Sequence, residues 1–370
     1  MIYLDSAATS LQKPPSVGIA MLQALRACAS PGRGVHAPAM RAAETALRCR
    51  EEAAALFHMP EPENVVFTHN ATHGLNIAIR SLVKPGMPVA VSGFEHNAVM
   101  RPLYALGAEI RTAEAPLFDP EGTVEAFRRV LPGAGAAVCT HVSNVFGYRL
   151  PLYKIAEACR ESGVPLIVDA AQSAGSEELD FPRTGAAFCA MPGHKGLLGP
   201  QGTGLLLCRA GGLPLLFGGT GGGSESRDMP PDLPDRLEAG TLNICGIAGL
   251  LEGIRYVRTQ TPRAVGERET ALREELSDGL RSLAGLRLYT GGEQRGILSV
   301  VPEAMSCEEL AERLNKDGVY VRSGLHCAPA AHRSAGTLST GTVRMSVSSF
   351  NSEEEIRQVL ARMEKYFKKA

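Results

Sequence analysis

One lysine lies in a stretch of glycines, prolines and small apolar residues, "MPGHKGLLGPQGTG", at positions 191–204. Glycine and proline are typical of turns and lysine of solvated surfaces, so Lys195 could simply point into water. A lysine enclosed by small residues has another use: desolvation and a neighbouring cation favour its neutral amine, which is a nucleophile. The stretch alone leaves both interpretations open.

Polar residues follow five successive apolar runs that have the character of buried strands. A lone Asp at such a place is usually a helix cap, and Thr72 alone would be interpreted as an ordinary N-cap. Five strand ends with polar groups instead indicate one polar ligand, because ligands of parallel sheets bind beyond the carboxyl ends of the strands. The groups are Asn70-Ala71-Thr72, Glu95-His96-Asn97, Asn144, Asp169 to Gln172, and His194-Lys195.

Pyridoxal phosphate needs such a set of groups. Its aldehyde requires a lysine amine, and its pyridine nitrogen requires a carboxylate in order to stay protonated and act as an electron sink. Its phosphate suits a hydroxyl and free backbone N–H groups at a helix N-terminus, which Thr72 and its neighbours offer. The glycines around Lys195 would let the backbone pass close to the cofactor.

The first two-thirds of the chain alternates apolar runs with helical patterns. This alternation predicts an α/β fold with a mostly parallel central sheet flanked by helices on both faces. The predicted strands are 64–68, 88–93, 136–141, 165–170, 186–191 and 204–208, and the predicted helices include 73–82, 98–106, 124–131 and 152–162.

The composition changes after residue 216. Residues 217–241 are rich in Gly, Pro and charge and predict a long loop, which we expect to be mobile at a dimer interface. One long helix, 244–283, then leads to a smaller α+β region with strands near Leu286, Ile297 and Thr342, a helix at 307–316 and a closing helix from Ser352. We therefore predict a large α/β domain at 13–255 and a small α+β domain made of 1–12 and 256–370.

Charge and cysteine usage exclude several classes of function. The 370 residues carry a formal net charge of −1, which argues against nucleic acid or an anionic membrane as the main partner. The chain has no long apolar run and no secretory signal at its start. Nine dispersed cysteines without a C-x-x-C pair predict a reducing, cytoplasmic location and no metal site. Cys139, Cys159, Cys189 and Cys208 lie in apolar runs and are predicted core residues.

Eight motifs, in order, resemble one known family. They are "YLDSAATS", "FTHNATHGLN", "EHNAV", "HVSNVFG", "VDAAQSAG", "GHKGLLGPQGTG", "EAGTLN" and "VRSGLHCAP". Together they look like the class V aminotransferase group of fold-type I pyridoxal-phosphate enzymes, and within it most like cysteine desulfurases and selenocysteine lyases. The resemblance spans Tyr3 to about Phe350.

The resemblance implies a cofactor site with a residue from almost every motif. The implied ligands are Lys195 at the aldehyde, Asp169 at the ring nitrogen, Gln172 at the ring hydroxyl oxygen, His96 stacked on the ring, Asn144 beside it, and Thr72, Ala71 and His194 at the phosphate. It further implies that Thr241 reaches the phosphate of the other subunit, which makes the protein an obligate homodimer.

The resemblance also implies the reaction. Arg344, with Asn144 and with His36 at the entrance, would bind the substrate, although His36 could equally be structural. Cys327 would take sulfur from L-cysteine and leave L-alanine and a persulfide, with Lys195 and His96 as the other catalytic residues. Arg322 and His326 are expected to favour the Cys327 thiolate.

Alternatives to a cysteine desulfurase remain open at this point. The first is a selenocysteine lyase or another class V lyase or aminotransferase, and the second is an inactive sulfur carrier or scaffold with the same fold. A nucleotide-binding Rossmann protein is disfavoured, since no G-x-G-x-x-G follows the first strand. A sulfur-acceptor protein is among the partners that the resemblance allows.

Three positions depart from the pattern that the family often shows. Leu325 replaces a histidine before the cysteine, Pro192 replaces a serine before the lysine motif, and Ala71 replaces a threonine. Two of these changes remove hydroxyls from the expected phosphate site. Backbone amides would have to bind the phosphate in their place.

Overall fold

The computed structural model describes residues 1–32, 34–209, 211–221 and 225–368. The strands are β1 (Ile2–Tyr3), β2 (Val65–Thr68), β3 (Pro88–Ser92), β4 (Glu109–Ala113), β5 (Ala136–Thr140), β6 (Leu166–Asp169), β7 (Phe188–Pro192), β8 (Gly204–Cys208), β9 (Leu286–Tyr289), β10 (Ile297–Pro302), β11 (Val319–Tyr320), β12 (Arg322–Gly324) and β13 (Thr342–Ser346). The helices are α1 (Pro15–Ala27), α2 (Ala37–Leu56), α3 (Ala71–Leu82), α4 (Asn97–Ala105), α5 (Pro120–Val130), α6 (Leu152–Glu161), α7 (Phe181–Thr184), α8 (Ile244–Gln260), α9 (Pro262–Arg281), α10 (Cys307–Lys316), α11 (Pro329–Ser334) and α12 (Glu353–Met363).

A seven-stranded sheet forms the centre of the larger part of the chain. Its order is β2-β8-β7-β6-β5-β3-β4, and β8 runs antiparallel to both of its neighbours while the other adjacent pairs are parallel. The predicted mostly parallel sheet is confirmed. The parallel strands therefore all end at one edge, where the polar groups that follow them converge.

Two apolar clusters cover the opposite faces of this sheet. Along β3 and β5, Ala90 and Cys139 belong to one cluster, whereas Val91 and Val138 belong to the other. Adjacent residues of a strand point to opposite faces, so continuous apolar runs are what a sheet buried on both sides requires. This double burial makes the sheet a rigid support for the polar edge.

A four-stranded sheet, ordered β12-β13-β10-β9, forms the smaller part. Its buried cluster combines residues of these strands with residues of α9, α10 and α12. The chain start joins it, because β1 pairs in parallel with β11 and Ile2 and Leu4 lie in the same cluster. The division into domains at 13–255 and at 1–12 with 256–370 stays a prediction.

The long helix predicted at 244–283 is wrong, because the chain breaks at Thr261 between α8 and α9. Thr261 has φ 67°, and Pro262 follows it. A residue before proline is disfavoured in the α region, and the Thr261 hydroxyl then accepts from Ala264 N at 3.3 Å to cap α9. Helices α1, α2, α7 and α11 and the short strands β1, β4, β11 and β12 were not predicted.

The remaining features agree with the composition. All nine cysteines are free, and the four predicted core cysteines are buried. In the part of the chain that the structure describes, no helix combines the length and the apolar character that crossing a membrane requires. Of the predicted loop at 217–241, residues 222–224 lie outside the described residues.

Candidate active site

A cavity of about 220 Å³ opens at the edge where the parallel strands end. It collects side chains that follow β2, β3, β5, β6 and β7, together with Arg344 from β13 and Ala7 and Ala8 from the chain start. The predicted site residues on its wall are Ala71, Thr72, His96, Asn144, Asp169, Gln172, His194, Lys195 and Arg344.

Lys195 follows β7 and points into this cavity. Lys195 is half-buried and lines the cavity, so it is not a fully solvated surface lysine. Burial lowers the pKa of its amine to about 8; the Asp169 carboxylate opposes this shift and Arg344 adds to it. The amine makes no hydrogen bond or ion pair with any described residue, so it is free to react.

Asp169 ends β6 and is 3% exposed. Its Oδ1 accepts from Ala171 N at 2.9 Å. Burial raises the pKa of Asp169, while this hydrogen bond and the charge of Lys195 lower it. A carboxylate held by the backbone at a sheet end suits a protonated ring nitrogen.

The N-terminus of α3 forms the opposite wall. Asn70 caps the helix, accepting from His73 N at 2.9 Å, so Thr72 is not the N-cap that the sequence allowed. The backbone amides of Ala71 and Thr72 lie in the first turn, where no helix carbonyl can accept from them. The Thr72 hydroxyl makes no hydrogen bond to a described residue. A helix end of this kind binds anions.

Two neutral imidazoles complete the wall. His96 caps α4, and its Nδ1 accepts from Ala98 N at 3.0 Å. Burial, with the charge of Lys195 next, lowers the pKa of His96 to about 4, and the same two causes lower that of His194 to about 4. Thr9 Oγ1 lies 3.1 Å from His194 Nδ1. Neither ring is a cation at neutral pH, so His96 can offer a flat, uncharged face.

Arg344 is 1% exposed and is held from two sides. Its Nη2 pairs with Asp5 Oδ1 at 2.5 Å, and its Nη1 donates to Asn144 O at 2.9 Å. Nε has no partner among the described residues. Burial lowers the pKa of Arg344, and the Asp5 carboxylate opposes this shift. The guanidinium is therefore fixed in orientation and can bind a carboxylate.

Cys327 lies outside this cavity, on an adjoining groove that shares Thr72, His96 and Ala98 with it. The thiol is exposed, and Arg322 Nη2 lies 3.9 Å from its sulfur. The backbone of Cys327 has φ 56° and that of His326 has φ 49°, in the left-handed region that side chains rarely adopt. Asn97 N donates to Cys327 O at 2.7 Å, and Asn144 Nδ2 donates to His326 O at 2.8 Å, which holds this turn against the large sheet.

The expectation that His326 helps to charge the thiol is wrong. His326 is 3% exposed, and its Nε2 lies 3.1 Å from Thr342 Oγ1. Burial, with the charge of Arg344 next, lowers the pKa of His326 to about 2, so the ring is neutral. Arg322 is the cation that faces the sulfur.

Two predicted site residues lie away from the cavity within this chain. Thr241 is exposed beside a separate cavity of about 260 Å³. His36 is exposed and caps α2, with Nδ1 accepting from Ala39 N at 3.4 Å. These contacts favour a structural role for His36, as the cap of α2.

The sequence interpretation missed the chain start. Ala7 and Ala8 line the cavity, and Gln172 Nε2 donates to Ala7 O at 2.9 Å. Asp5, which pairs with Arg344, was quoted within "YLDSAATS" but given no role. The only sign in the sequence that Asp5 has a role is that it is an isolated acidic residue in a segment without periodicity.

These residues fit pyridoxal phosphate. The unpartnered Lys195 amine suits an aldehyde, the buried Asp169 carboxylate suits a pyridinium nitrogen, and the unpaired amides of α3 suit a phosphate. Pro192 and Ala71 supply no hydroxyl, so a phosphate bound here would depend more on backbone amides. The donor set therefore meets the requirements that the sequence raised.

Known proteins with similar chains agree with this geometry. The sequence profile of the family described as aminotransferase class-V matches residues 2–359. A probable cysteine desulfurase of Methanothermobacter thermautotrophicus is 35% identical over 96% of this chain and 92% of its own length. One from Xylella fastidiosa is 33% identical over 98% and 89%. The apo structure of a cysteine desulfurase from Thermococcus onnurineus superposes with a TM-score of 0.91 at 30% identity, over 99% of this chain and 94% of that one.

Proposed function

We propose that this protein, which belongs to the class-V aminotransferase family, is a pyridoxal-phosphate-dependent cysteine desulfurase. One observation carries the proposal. The unpaired Lys195 amine shares a cavity wall with Asp169 and Arg344, and the exposed Cys327 thiol lies on the adjoining groove. An amine, a carboxylate, a guanidinium and a thiol in this arrangement are what sulfur removal from an amino acid requires.

The cofactor-binding residues act by position and charge. When bound, pyridoxal phosphate supplies the electron sink that lets the α-proton of an amino acid leave and its Cβ–S bond weaken. Lys195 would hold the cofactor through its amine, and its Nζ would move the α-proton of the substrate. Asp169 keeps the ring nitrogen protonated, Gln172 and Asn144 orient the ring, and His96 covers its face.

The phosphate and substrate ends are bound by different elements. The amides of Ala71 and Thr72, the Thr72 hydroxyl and His194 bind the phosphate at the start of α3. The Arg344 guanidinium binds the substrate carboxylate with the N–H groups that Asp5 and Asn144 leave free.

Cys327 completes the reaction. Its thiolate attacks the substrate sulfur, forming an S–S bond while the Cβ–S bond breaks. The electron pair of the broken bond takes a proton at Cβ, so that L-alanine leaves and Cys327 carries a persulfide. Arg322, 3.9 Å from the sulfur, stabilises the negative charge before and after transfer.

A homodimer in the cytoplasm is part of the proposal. Helices α1 and α2 expose several large apolar residues, among them Ile19, Leu22, Leu25 and Met40. Such a face is typical of a surface that a second subunit covers. Thr241, which lies away from the cavity of its own chain, would then reach the phosphate of the partner. The nine free thiols support a reducing compartment.

Purified protein with added pyridoxal phosphate and L-cysteine tests the function. We expect a yellow protein, stoichiometric sulfide and alanine in the presence of a thiol reductant, and cofactor fixed at Lys195 by borohydride. A yellow Cys327→Ala variant that releases no sulfide would support the role of Cys327. Unchanged sulfide release by this variant would contradict the role of Cys327. Release of selenide from selenocysteine, with no sulfide from cysteine, would contradict the proposed function.

A further inference from the structure

A groove of about 370 Å³ runs between helices α3 and α4, from the exposed Cys327 thiol to two exposed arginines. Thr72, Asn76 and Arg80 recur at every fourth residue of α3 and form one side. On the other side, Asn97, Arg101 and Ala105 recur at every fourth residue of α4. Residues four apart lie on one face of a helix, so each side is a continuous row.

Cys327 lies at the end of the groove where both helices begin. Asn97, the first residue of α4, donates its N–H to Cys327 O at 2.7 Å, and Thr72 is in the first turn of α3. Cys327 therefore lies beside the N-terminus of α4, and its groove includes the first turn of α3; a helix N-terminus favours negative charge. A persulfide formed there would lie in the groove, which shares Thr72, His96 and Ala98 with the cofactor cavity.

The groove is basic: Arg101 lies about one helical turn along α4 from Asn97, and Arg80 lies about two turns along α3 from Thr72. Arg80 and Arg101 are exposed, and neither forms an ion pair with a described residue. Among the described residues that line the groove, none is acidic. Other exposed arginines, such as Arg48 and Arg128, pair with a glutamate, here Glu44 and Glu125. The two unpaired arginines that line the groove carry positive charge, which an acidic partner can neutralise.

We infer that this groove docks an extended acidic segment of the protein that accepts the sulfur, with the acceptor thiol at Cys327 and carboxylates at Arg80 and Arg101. The inference rests on the proposed function and identifies its partner. From Thr72 to Arg80 the helix rises about 12 Å, which an extended chain spans in about four residues. The acceptor cysteine is thus three to five residues from the acidic residue that would meet Arg80. Two arginines are too few for a nucleic acid, and the net charge is −1.

Sulfur transfer from the Cys327 persulfide to the acceptor thiol needs no external oxidant. The acceptor thiolate attacks the outer sulfur of the Cys327 persulfide, so that one S–S bond forms as the other breaks. Cys327 leaves as a thiolate, and the acceptor carries the persulfide. Carboxylates of the acceptor, paired with Arg80 and Arg101, would hold the acceptor in place without touching the reacting sulfurs.

Labelled hexapeptides with holoenzyme test the inference. One peptide has cysteine first and glutamates at positions four and five; its match has lysines there. We expect tighter binding by fluorescence anisotropy, and faster sulfur transfer by mass spectrometry, for the acidic peptide. The R80E/R101E variant should reduce both by about tenfold, while cysteine desulfuration with dithiothreitol stays unchanged. R129E replaces an exposed arginine at the end of α5 and is the matched control. It should change neither peptide binding nor sulfur transfer.

Equal behaviour of the two peptides would overturn the inference, as would an equal loss in R129E or tighter binding of a single-stranded RNA than of the acidic peptide. Absence of added sulfur on Cys327 in the wild-type protein would contradict the proposed function instead. The binding measurement needs no persulfide, so it decides the docking site in either case.

Discussion

Asp5 and Arg344 are 339 positions apart in the chain, and their side chains pair at 2.5 Å beside the cavity that Arg344 lines. Arg344 is almost fully buried, whereas the Asp5 side chain is 20% exposed. A buried guanidinium without a carboxylate would carry an uncompensated charge. The start of the chain thus orients the residue that we propose binds the substrate carboxylate.

Replacing Asp5 with asparagine keeps the shape and removes this charge. We expect D5N to lower the free energy of unfolding by about 1–3 kcal/mol and to raise KM for cysteine more than it lowers kcat. Chemical denaturation and steady-state kinetics measure the two effects. D278N removes the exposed carboxylate that pairs with Arg281 and is the control, with no measurable change expected. An unchanged KM in D5N would show that Asp5 does not orient Arg344.

The pKa of Lys195 predicts how the apoprotein takes up its cofactor. Only the neutral amine reacts with the aldehyde, and its pKa is lowered from 10.5 to about 8. The uptake rate, followed by absorbance, should therefore rise with pH through about 8. Asp169 raises this pKa, so D169N should move the midpoint to lower pH. A midpoint near 10.5 in the wild-type apoprotein would contradict the enclosed position of the amine.

Glu95 is a buried acid that none of the proposed steps uses. It is 0% exposed, Ser92 Oγ donates to its Oε1 at 2.5 Å, and Thr140 N donates at 2.8 Å. Burial raises its pKa from 4.5 to about 8, and the Asp169 carboxylate adds to the shift. Because the folded state holds this proton more tightly than the unfolded state, stability falls as pH rises from about 4.5 to about 8.

The E95Q variant should lack this component of the pH dependence. Relative to wild type it should gain stability, on the order of a few kcal/mol, as pH rises from about 5 to about 8. Thermal or urea unfolding at several pH values measures the difference. E109Q, at an exposed carboxyl of β4, is the control. A constant difference between E95Q and wild type across this range would show that Glu95 does not titrate there.

The sheet and its polar edge were predictable because their signals are local. Each buried strand is a short apolar run, and each of Asn144, Asp169 and Lys195 follows its strand within a few residues. Those strands are parallel, so their ends had to meet. The family resemblance then suggested which polar residue matches which part of the cofactor.

The features that were missed depend on contacts distant in sequence or on backbone geometry. Nothing near Asp5 indicates that it meets Arg344. The neutral state of His326 follows from its burial and from the charge of Arg344, which sequence spacing does not reveal. The break at Thr261 had a local signal in Pro262, but helical periodicity continues on both sides and concealed it.

The mass of Cys327 after incubation with L-cysteine tests the central claim most directly. With holoenzyme and no reductant, peptide mass spectrometry should find one added sulfur atom on Cys327, lost on treatment with dithiothreitol. The C245A variant should keep this addition and the C327A variant should lack it. An unmodified Cys327 in active holoenzyme that releases sulfide from cysteine would contradict the account.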